Sequence, residues 1–233
     1  MREAREYLFV ALDQMSPEDA LALARQVAPE VGGFKVGMDL FNQGGPPVVR
    51  EVVALGRPVF LDLKLHDIPQ TVARGVRAVR DLGVRYVNVH ASGGAAMLRL
   101  AKEAAGDEVR LLAVTLLTSM DEPTAQAVGW QGTPKDIVLR LARIGQEAGV
   151  DGYVTSGEEA PELRRLFPGA TLAVPGVRRA ADGLQDQRRV VTPAMARRAG
   201  ADLIIVGRAI TEAQDPVAAA GAFVEEIAEG ETE

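Results

Sequence analysis

Short apolar runs recur along the chain at intervals of roughly 25 to 30 residues, and most are followed by a turn and a stretch with helical spacing of its apolar positions. The apolar runs predict eight β-strands, and the stretches between them predict amphipathic α-helices. The predicted strands are residues 7–12, 33–36, 59–63, 86–89, 110–116, 152–154, 171–174 and 203–206. The predicted helices include residues 17–27, 71–82, 95–105, 135–148, 158–166 and 193–199.

The order of these elements indicates a fold. Several helices open on Ser or Thr followed by Pro, as at Ser16, Thr133 and Thr192, which is typical of a helix N-cap and first turn. Strands that alternate with helices pair in parallel, and eight such units predict a single (β/α)8 TIM barrel over residues 1–233, with a polar tail after Glu225. A doubly wound open sheet is the alternative, but no G-x-G-x-x-G motif follows the first strand.

The amino-acid composition excludes several classes of function. The chain has 233 residues, 47% hydrophobic and 25% charged, with a net charge of −6, which argues against a nucleic-acid or membrane-surface partner. It has no cysteine and two histidines, so thiol chemistry is excluded and a histidine-rich metal site is not expected. We see no charged leader and no apolar stretch of membrane-spanning length, and we therefore expect a cytoplasmic protein.

Polar residues follow the predicted strands, where a TIM barrel carries its active site. In chain order these residues include Asp13, Lys35, Asp62, Lys64, Asn88, His90, Thr118, Ser119, Arg178 and Arg208. Several charged groups that converge on one barrel mouth are costly unless they are paired, so we interpret them as a site rather than as solvated ion pairs at the rim.

The third predicted strand leads into the segment "DLKLHDIPQT", which contains the charged residues Asp62, Lys64 and Asp67. Asp62 and Lys64 are two residues apart in a strand and should face the same side, inward if Leu61 and Leu63 pack against the helices. Asp67 follows the strand, and its side chain could enter the same pocket or a neighbour's. We expect His66 to serve packing or an interface, and His90 either to be a satisfied strand-end residue or to line the pocket.

The last two units predict a phosphate site, which loops after the seventh and eighth strands of such barrels often supply. "VPGVR" contributes Arg178, and "VGRAIT" places Gly207 and Arg208 at the opening of a helix, whose free amides favour an anion. Residues 176–189 are polar and long, and we interpret them as a mobile lid from which Gln187 could grip the ligand. A plain solvated loop is the alternative.

Taken in order, seven motifs resemble those of the orotidine 5'-phosphate decarboxylase family over nearly the whole chain. They are "VALD" with Asp13, "FKVG" with Lys35, "DLKLHDIPQT", "TLLTS" with Thr118 and Ser119, "VPGVR" with Pro175 and Arg178, "DQRR" with Gln187, and "GRAIT" with Gly207 and Arg208. Leu65 and Gln70 stand where the family often has phenylalanine and asparagine, and neither change touches a charged position.

The resemblance implies decarboxylation of orotidine 5'-monophosphate to uridine 5'-monophosphate without metal or organic cofactor, in a homodimer. It implies that Lys35, Asp62 and Lys64 line one subunit's pocket, while Asp67 and Thr71 enter from the partner. Our hypothesis is that the row Lys35, Asp62, Lys64 and Asp67 holds Lys64 protonated, ready to donate a proton.

Substrate contacts are implied by the same resemblance. Asp13 and Lys35 would hold ribose hydroxyls, and Thr118 and Ser119 would meet the pyrimidine edge. Pro175, Arg178, Gln187, Gly207 and Arg208 would complete the substrate site, mainly at the phosphate.

Two other functions stay open. A magnesium-dependent sugar-phosphate decarboxylase or aldolase of the same barrel superfamily would share the D-x-K-x-x-D stretch, but it is expected to offer a carboxylate near the end of the second strand, where this chain has Lys35. A non-catalytic barrel that binds a phosphate ligand is the alternative of another class, although such a protein has no need for the charged row.

Overall fold

Eight parallel strands close into a barrel, with each strand paired to the next and β8 paired to β1. The computed structural model describes residues 2–179 and 191–231. The strands are β1 (Leu8–Ala11), β2 (Gly33–Gly37), β3 (Val59–Leu65), β4 (Tyr86–His90), β5 (Arg110–Val114), β6 (Gly152–Val154), β7 (Thr171–Pro175) and β8 (Leu203–Val206). The predicted (β/α)8 TIM barrel is confirmed.

Helices surround the barrel and connect its strands. In the described residues they are α1 (Pro17–Val27), α2 (Met38–Val53), α3 (Pro69–Arg80), α4 (Gly94–Ala105), α5 (Glu122–Ala127), α6 (Pro134–Ala148), α7 (Ala160–Leu166), α8 (Pro193–Arg198), α9 (Arg208–Thr211) and α10 (Pro216–Glu229). Short 3-10 helices lie at Ala4–Tyr7, Ala28–Glu30 and Ala91–Gly93 in the same residues. No helix in the described ranges has both the length and the apolar character that crossing a membrane requires.

The helices α2 and α10 are among those that the apolar pattern did not predict. The pattern did not reveal α2, because Gly45 has a φ of 58° and precedes two prolines, so the helix is kinked and its periodicity is broken. The polar tail expected after Glu225 is wrong, since α10 runs on to Glu229 and buries Ile227 in its last turns. Its start is well defined, because Asp215 accepts a hydrogen bond from the Ala218 N–H at 2.9 Å.

The strands separate two apolar regions. Inside the barrel, a small core that includes Phe9, Phe60 and Leu112 packs near the amino ends of the strands, and Tyr86 meets Phe9 edge-to-face at 6.0 Å. The larger core lies between the strands and the helices, and Leu61 belongs to it. Residue 61 therefore faces outward and residue 60 inward, so the alternation points Asp62 into the barrel above an apolar floor.

Two aspartates tie the amino ends of the strands together, on the face opposite the charged row. Asp151 accepts the Leu111 N–H at 2.8 Å and pairs with Lys102 at 2.8 Å. Asp202 accepts the Leu172 N–H at 2.9 Å and pairs with Arg164 at 2.6 Å. Each carboxylate thus satisfies a backbone donor of the neighbouring strand, which identifies this face as one that serves stability.

We expect Asp202→Ala to lower the free energy of unfolding by about 1–2 kcal/mol, because the Leu172 N–H and the Arg164 guanidinium would lose their acceptor. Urea unfolding followed by circular dichroism measures the change. Asp107→Ala is the control, since Asp107 is an exposed carboxylate near the same end of the barrel. Equal unfolding midpoints for the two variants would contradict this role of Asp202.

Candidate active site

Four charged side chains form a row of alternating sign at the carboxyl ends of β1, β2 and β3. Lys64 Nζ lies 2.7 Å from Asp62 Oδ1, and Lys35 Nζ lies 3.4 Å from Asp62 Oδ2. On its other side Lys35 donates to Asp13. Lys35 and Asp62 are each only 9% exposed, so the centre of this row is buried. Three of the four predicted row members therefore meet, and Asp13 extends the row at the far end.

Paired cations keep the buried carboxylate of Asp62 ionised. Burial by itself raises the pKa of this carboxyl. The charges of Lys35 and Lys64, with hydrogen bonds from Lys64 and Asn88, outweigh burial and hold the pKa of Asp62 below its ordinary value. Asp62 is therefore negative at neutral pH, in a site where an unpaired charge would be strongly disfavoured.

Gly37 lets the first two members of the row approach each other. It ends β2, two residues after Lys35, and a Cβ on Gly37 would overlap the carboxylate of Asp13. Asp13 Oδ1 is buried and accepts no hydrogen bond from any described residue, although Oδ2 is paired with Lys35. One carboxylate oxygen at the edge of the site is thus left without a donor.

Asn88 was named as a polar residue at the end of the fourth strand, but the sequence suggested no role for it. Its side chain is fully buried, and its Nδ2 donates to Asp62 Oδ1 at 2.6 Å. Its Oδ1 accepts the backbone N–H of Lys64 at 2.8 Å. A buried amide at a strand end, beside a predicted carboxylate, was the signal that could have identified it.

The two arginines predicted for the phosphate line one cavity with Lys35. This cavity has a volume of about 250 Å³ and is also lined by Pro175, Gly207 and Glu212. The sequence predicted all of these except Glu212. Because α9 is only four residues long, its dipole contributes little, and the positive charge of Arg178 and Arg208 is the main attraction for an anion.

Most of the predicted lid is not described. Gln187 and the rest of residues 180–190 lie outside the described residues, so the predicted grip on the ligand is untested. The described start of the predicted lid is bonded to the chain beyond its end, since the Arg178 N–H donates to the Val191 carbonyl at 3.1 Å.

Asp67 and Thr71 do not join the row within this chain. Asp67 is exposed, its carboxylate accepts the Ile68 N–H at 2.6 Å, and it forms no ion pair with any described residue. Thr71 lies in the first turn of α3, where its hydroxyl is 3.5 Å from the Arg74 guanidinium. Ile68 between them is 67% exposed, although it is a large apolar residue.

Thr118 and Ser119 follow β5, which ends at Val114 rather than at Leu116 as predicted. Both residues are exposed in the loop before α5. The cavity at the two arginines does not include them, so their contact with a ligand stays a prediction.

The two histidines stack on each other beside Lys64. The ring centroids of His66 and His90 are 5.3 Å apart, and the rings are tilted by 34°. Burial lowers the pKa of His90, electrostatic interactions with His66 and Lys64 lower it further, and Asp62 partly opposes them. His90 is therefore neutral at neutral pH, which avoids a third cation at this side of the site.

Metal ligation is restricted by the position of Lys35. Its ammonium lies between Asp13 and Asp62, where a divalent cation bound to both carboxylates would have to sit. Across residues 2–179 and 191–231, no three side chains of His, Asp or Glu are grouped so that they could hold a metal ion.

Comparison with known proteins gives one consistent result. The profile of the orotidine 5'-phosphate decarboxylase / HUMPS family matches residues 6–223. The orotidine 5'-phosphate decarboxylase of Sphingopyxis alaskensis is 48% identical over 213 residues, which cover 91% of this chain and 95% of that protein. The enzyme of the same name from Halorhodospira halophila is 51% identical over 225 residues, with 95% of each chain covered.

Solved structures agree with the sequence relatives. The crystal structure of orotidine 5'-phosphate decarboxylase from Lactobacillus acidophilus superposes with a TM-score of 0.83 at 35% identity, covering 94% of this chain and 98% of that one.

We expect acid to destabilise the protein less when His90 is replaced by phenylalanine. A lowered folded-state pKa means that the unfolded chain binds more protons, so stability is present above the ordinary histidine pKa and is lost as the pH falls toward the folded one. His90→Phe keeps a ring against His66 but removes the titrating nitrogen. Urea midpoints at pH 7.5, 6.5 and 5.5 measure the difference, and parallel losses in the two proteins would show that His90 does not contribute.

Proposed function

The chain belongs to the orotidine 5'-phosphate decarboxylase / HUMPS family, and we propose that Lys35, Asp62 and Lys64 carry its reaction. The reaction is the decarboxylation of orotidine 5'-monophosphate to uridine 5'-monophosphate in pyrimidine biosynthesis. The observation that carries the residue assignment is the Lys64 ammonium, held 2.7 Å from a buried, ionised Asp62 at the carboxyl end of the barrel.

The chemical problem is a carbanion. When the bond between the ring and its carboxylate breaks, carbon dioxide leaves and the electron pair stays on a ring carbon that has no adjacent carbonyl to delocalise it. A fixed ammonium at about 4 Å supplies roughly 4 kcal/mol of stabilisation at an effective dielectric near 20. Lys64 then donates a proton to that carbon, becomes a neutral amine, and regains a proton from water.

Asp62 has two roles in this proposal. It orients Lys64, because the carboxylate is ionised and buried and lies 2.7 Å from the ammonium. It also lies where the substrate carboxylate would enter, so repulsion between the two anions is relieved as carbon dioxide departs.

Substrate binding is assigned to the rest of the barrel mouth. Arg178 and Arg208 would hold the phosphate in the cavity that they line with Pro175 and Gly207, and Gln187 would close over it. Asp13 and Lys35 would bind the ribose, since the free oxygen of Asp13 can accept from a hydroxyl group. Thr118 and Ser119 would meet the pyrimidine edge. Binding energy from the distant phosphate would thus help to organise the charged row.

We propose that the active unit is a homodimer in which Asp67 and Thr71 complete the partner's site. Asp67 is exposed and forms no ion pair with a described residue of its own chain, and the neighbouring Ile68 exposes an apolar side chain. The Lys64 side chain is 33% exposed, so one side of the cation is open to a second carboxylate. A cytoplasmic location and one domain over residues 1–233 complete the proposal.

The other two functions fit the row less well. A magnesium enzyme needs the carboxylates that Lys35 occupies with its ammonium. A barrel that only senses a phosphate ligand has no use for a buried row of opposite charges, whose assembly costs desolvation free energy.

We expect Lys64→Ala to lower kcat by on the order of 10³-fold or more, because it removes both the stabilising charge and the proton donor. Release of carbon dioxide from orotidine 5'-monophosphate, measured with a chelator present, checks this and tests the magnesium alternative. Lys102→Ala is the matched control, since Lys102 also pairs with an aspartate, Asp151, but at the opposite face. Turnover of Lys64→Ala within tenfold of the parent would contradict the assignment.

We expect mixed Lys64→Ala and Asp67→Ala subunits to regain activity. If sites are shared, half of the dimers in an equal mixture are heterodimers with one intact site each, so about a quarter of the parent activity returns. A mixture of Lys64→Ala with Asp62→Ala should regain no activity, because one subunit supplies both Lys64 and Asp62 to each site, and every site in the mixture then lacks one of them. No recovery in the first mixture would place Asp67 outside the partner's site.

A further inference from the structure

We propose that Asn88 is a positioning residue that sets the place of the Lys64 ammonium by holding the Lys64 backbone and the Asp62 carboxylate with one side-chain amide. This inference rests on the proposed function, because it concerns the cation that acts on the reacting carbon. Asn88 does not line the cavity of the phosphate end and is fully buried, so we do not expect it to touch the substrate.

The hydrogen bonds form a small closed network. Asn88 Nδ2 donates to Asp62 Oδ1 at 2.6 Å, and the Lys64 ammonium donates to the same oxygen at 2.7 Å. Asn88 Oδ1 accepts the Lys64 backbone N–H at 2.8 Å. Asn88 therefore holds the backbone of Lys64, and Asp62 holds its ammonium.

The backbone at Lys64 needs this support. Lys64 has a φ of 51°, in the left-handed region that residues with a side chain seldom adopt. Leu61 pairs with Val87 and Leu65 with Val89, so β3 advances four residues while β4 advances two. Lys64 lies in this bulge, and its N–H is bonded to a side chain of β4 instead of to a backbone carbonyl.

An amide suits this position because it presents a donor and an acceptor together. Leucine has a similar size but offers neither, so it would leave the Lys64 N–H without its acceptor and would remove one of the two hydrogen bonds that Asp62 Oδ1 accepts. Aspartate would keep the acceptor but would place a second carboxylate against Asp62. Without the amide, Lys64 can relax out of the left-handed conformation, and the bulge no longer fixes where its ammonium lies.

The test measures kcat per substrate-binding site. For Asn88→Leu and the smaller Asn88→Ser we expect kcat to fall about 10- to 100-fold while KM changes by less than about threefold, since a displaced cation weakens the chemical step and the phosphate contacts stay. Sites are counted by titration with uridine 5'-monophosphate, so unfolded protein does not enter the result. Thr155→Val is the matched control, because Thr155 is a buried residue just after β6 whose hydroxyl bonds to no described group.

A pH profile of Asn88→Asp supplies a readout that a merely structural residue would not move. Two adjacent carboxylates share a proton, so the acid limb of kcat should shift to higher pH than in the parent. A residue needed only for folding would lower the unfolding midpoint and leave both the limb and the kcat per site unchanged.

The outcomes separate the two proposals. If the parent enzyme releases no carbon dioxide from orotidine 5'-monophosphate, the proposed function fails. If the parent is active and Asn88→Leu or Asn88→Ser keeps its kcat per site within twofold, the role of Asn88 is overturned and the function stands. Should Asn88→Leu bind no nucleotide, Asn88→Ser gives the decision, and should neither bind, the inference that Asn88 acts on the chemical step is rejected.

Discussion

The site depends on one buried carboxylate that stays ionised. Asp62 lies between the ammonium groups of Lys64 and Lys35, at 2.7 and 3.4 Å, and receives a further hydrogen bond from Asn88. Without nearby cations, a carboxylate buried to this extent would be protonated or would strongly destabilise the folded state, because desolvation disfavours its charge. The two cations make its ionisation possible, and the ionised carboxylate in turn holds the Lys64 ammonium in place.

The barrel supports this arrangement because stabilising contacts lie at the amino ends of its strands and the charged row lies at their carboxyl ends. At the amino ends, Asp151 and Asp202 each bind a neighbouring strand's backbone N–H and a basic side chain, which fixes the strands relative to one another. Inside, apolar side chains such as Phe60 fill the space beneath Asp62. The carboxyl ends can therefore carry a costly concentration of charge, since the strands that present it are held in place elsewhere.

The sequence predicted the barrel and most of the charged row, because both follow from simple periodicities. Strand alternation places Asp62 inward, and successive parallel strands bring Lys35 next to it. The role of Asn88 and the bulge at Lys64 were beyond that reasoning, since a φ of 51° in a lysine and a shifted register depend on a side chain of another strand. The kinked α2 and the buried end of α10 were missed because glycine, proline and glutamate mask the apolar spacing.

The charge balance of the row explains why a second carboxylate could be useful at Lys64. Within one chain, the formal charges of the row sum to zero, so it has no net charge before substrate binds. The row consists of Asp13, Lys35, Asp62 and Lys64. In the proposed site, a bound substrate carboxylate would add a negative charge beside Asp62, and Asp67 of a partner subunit would add another at the open side of Lys64. In the proposed reaction, departure of neutral carbon dioxide would leave that negative charge on the ring carbon, where Lys64 is proposed to act. Proton transfer from Lys64 to that carbon would then neutralise the charge.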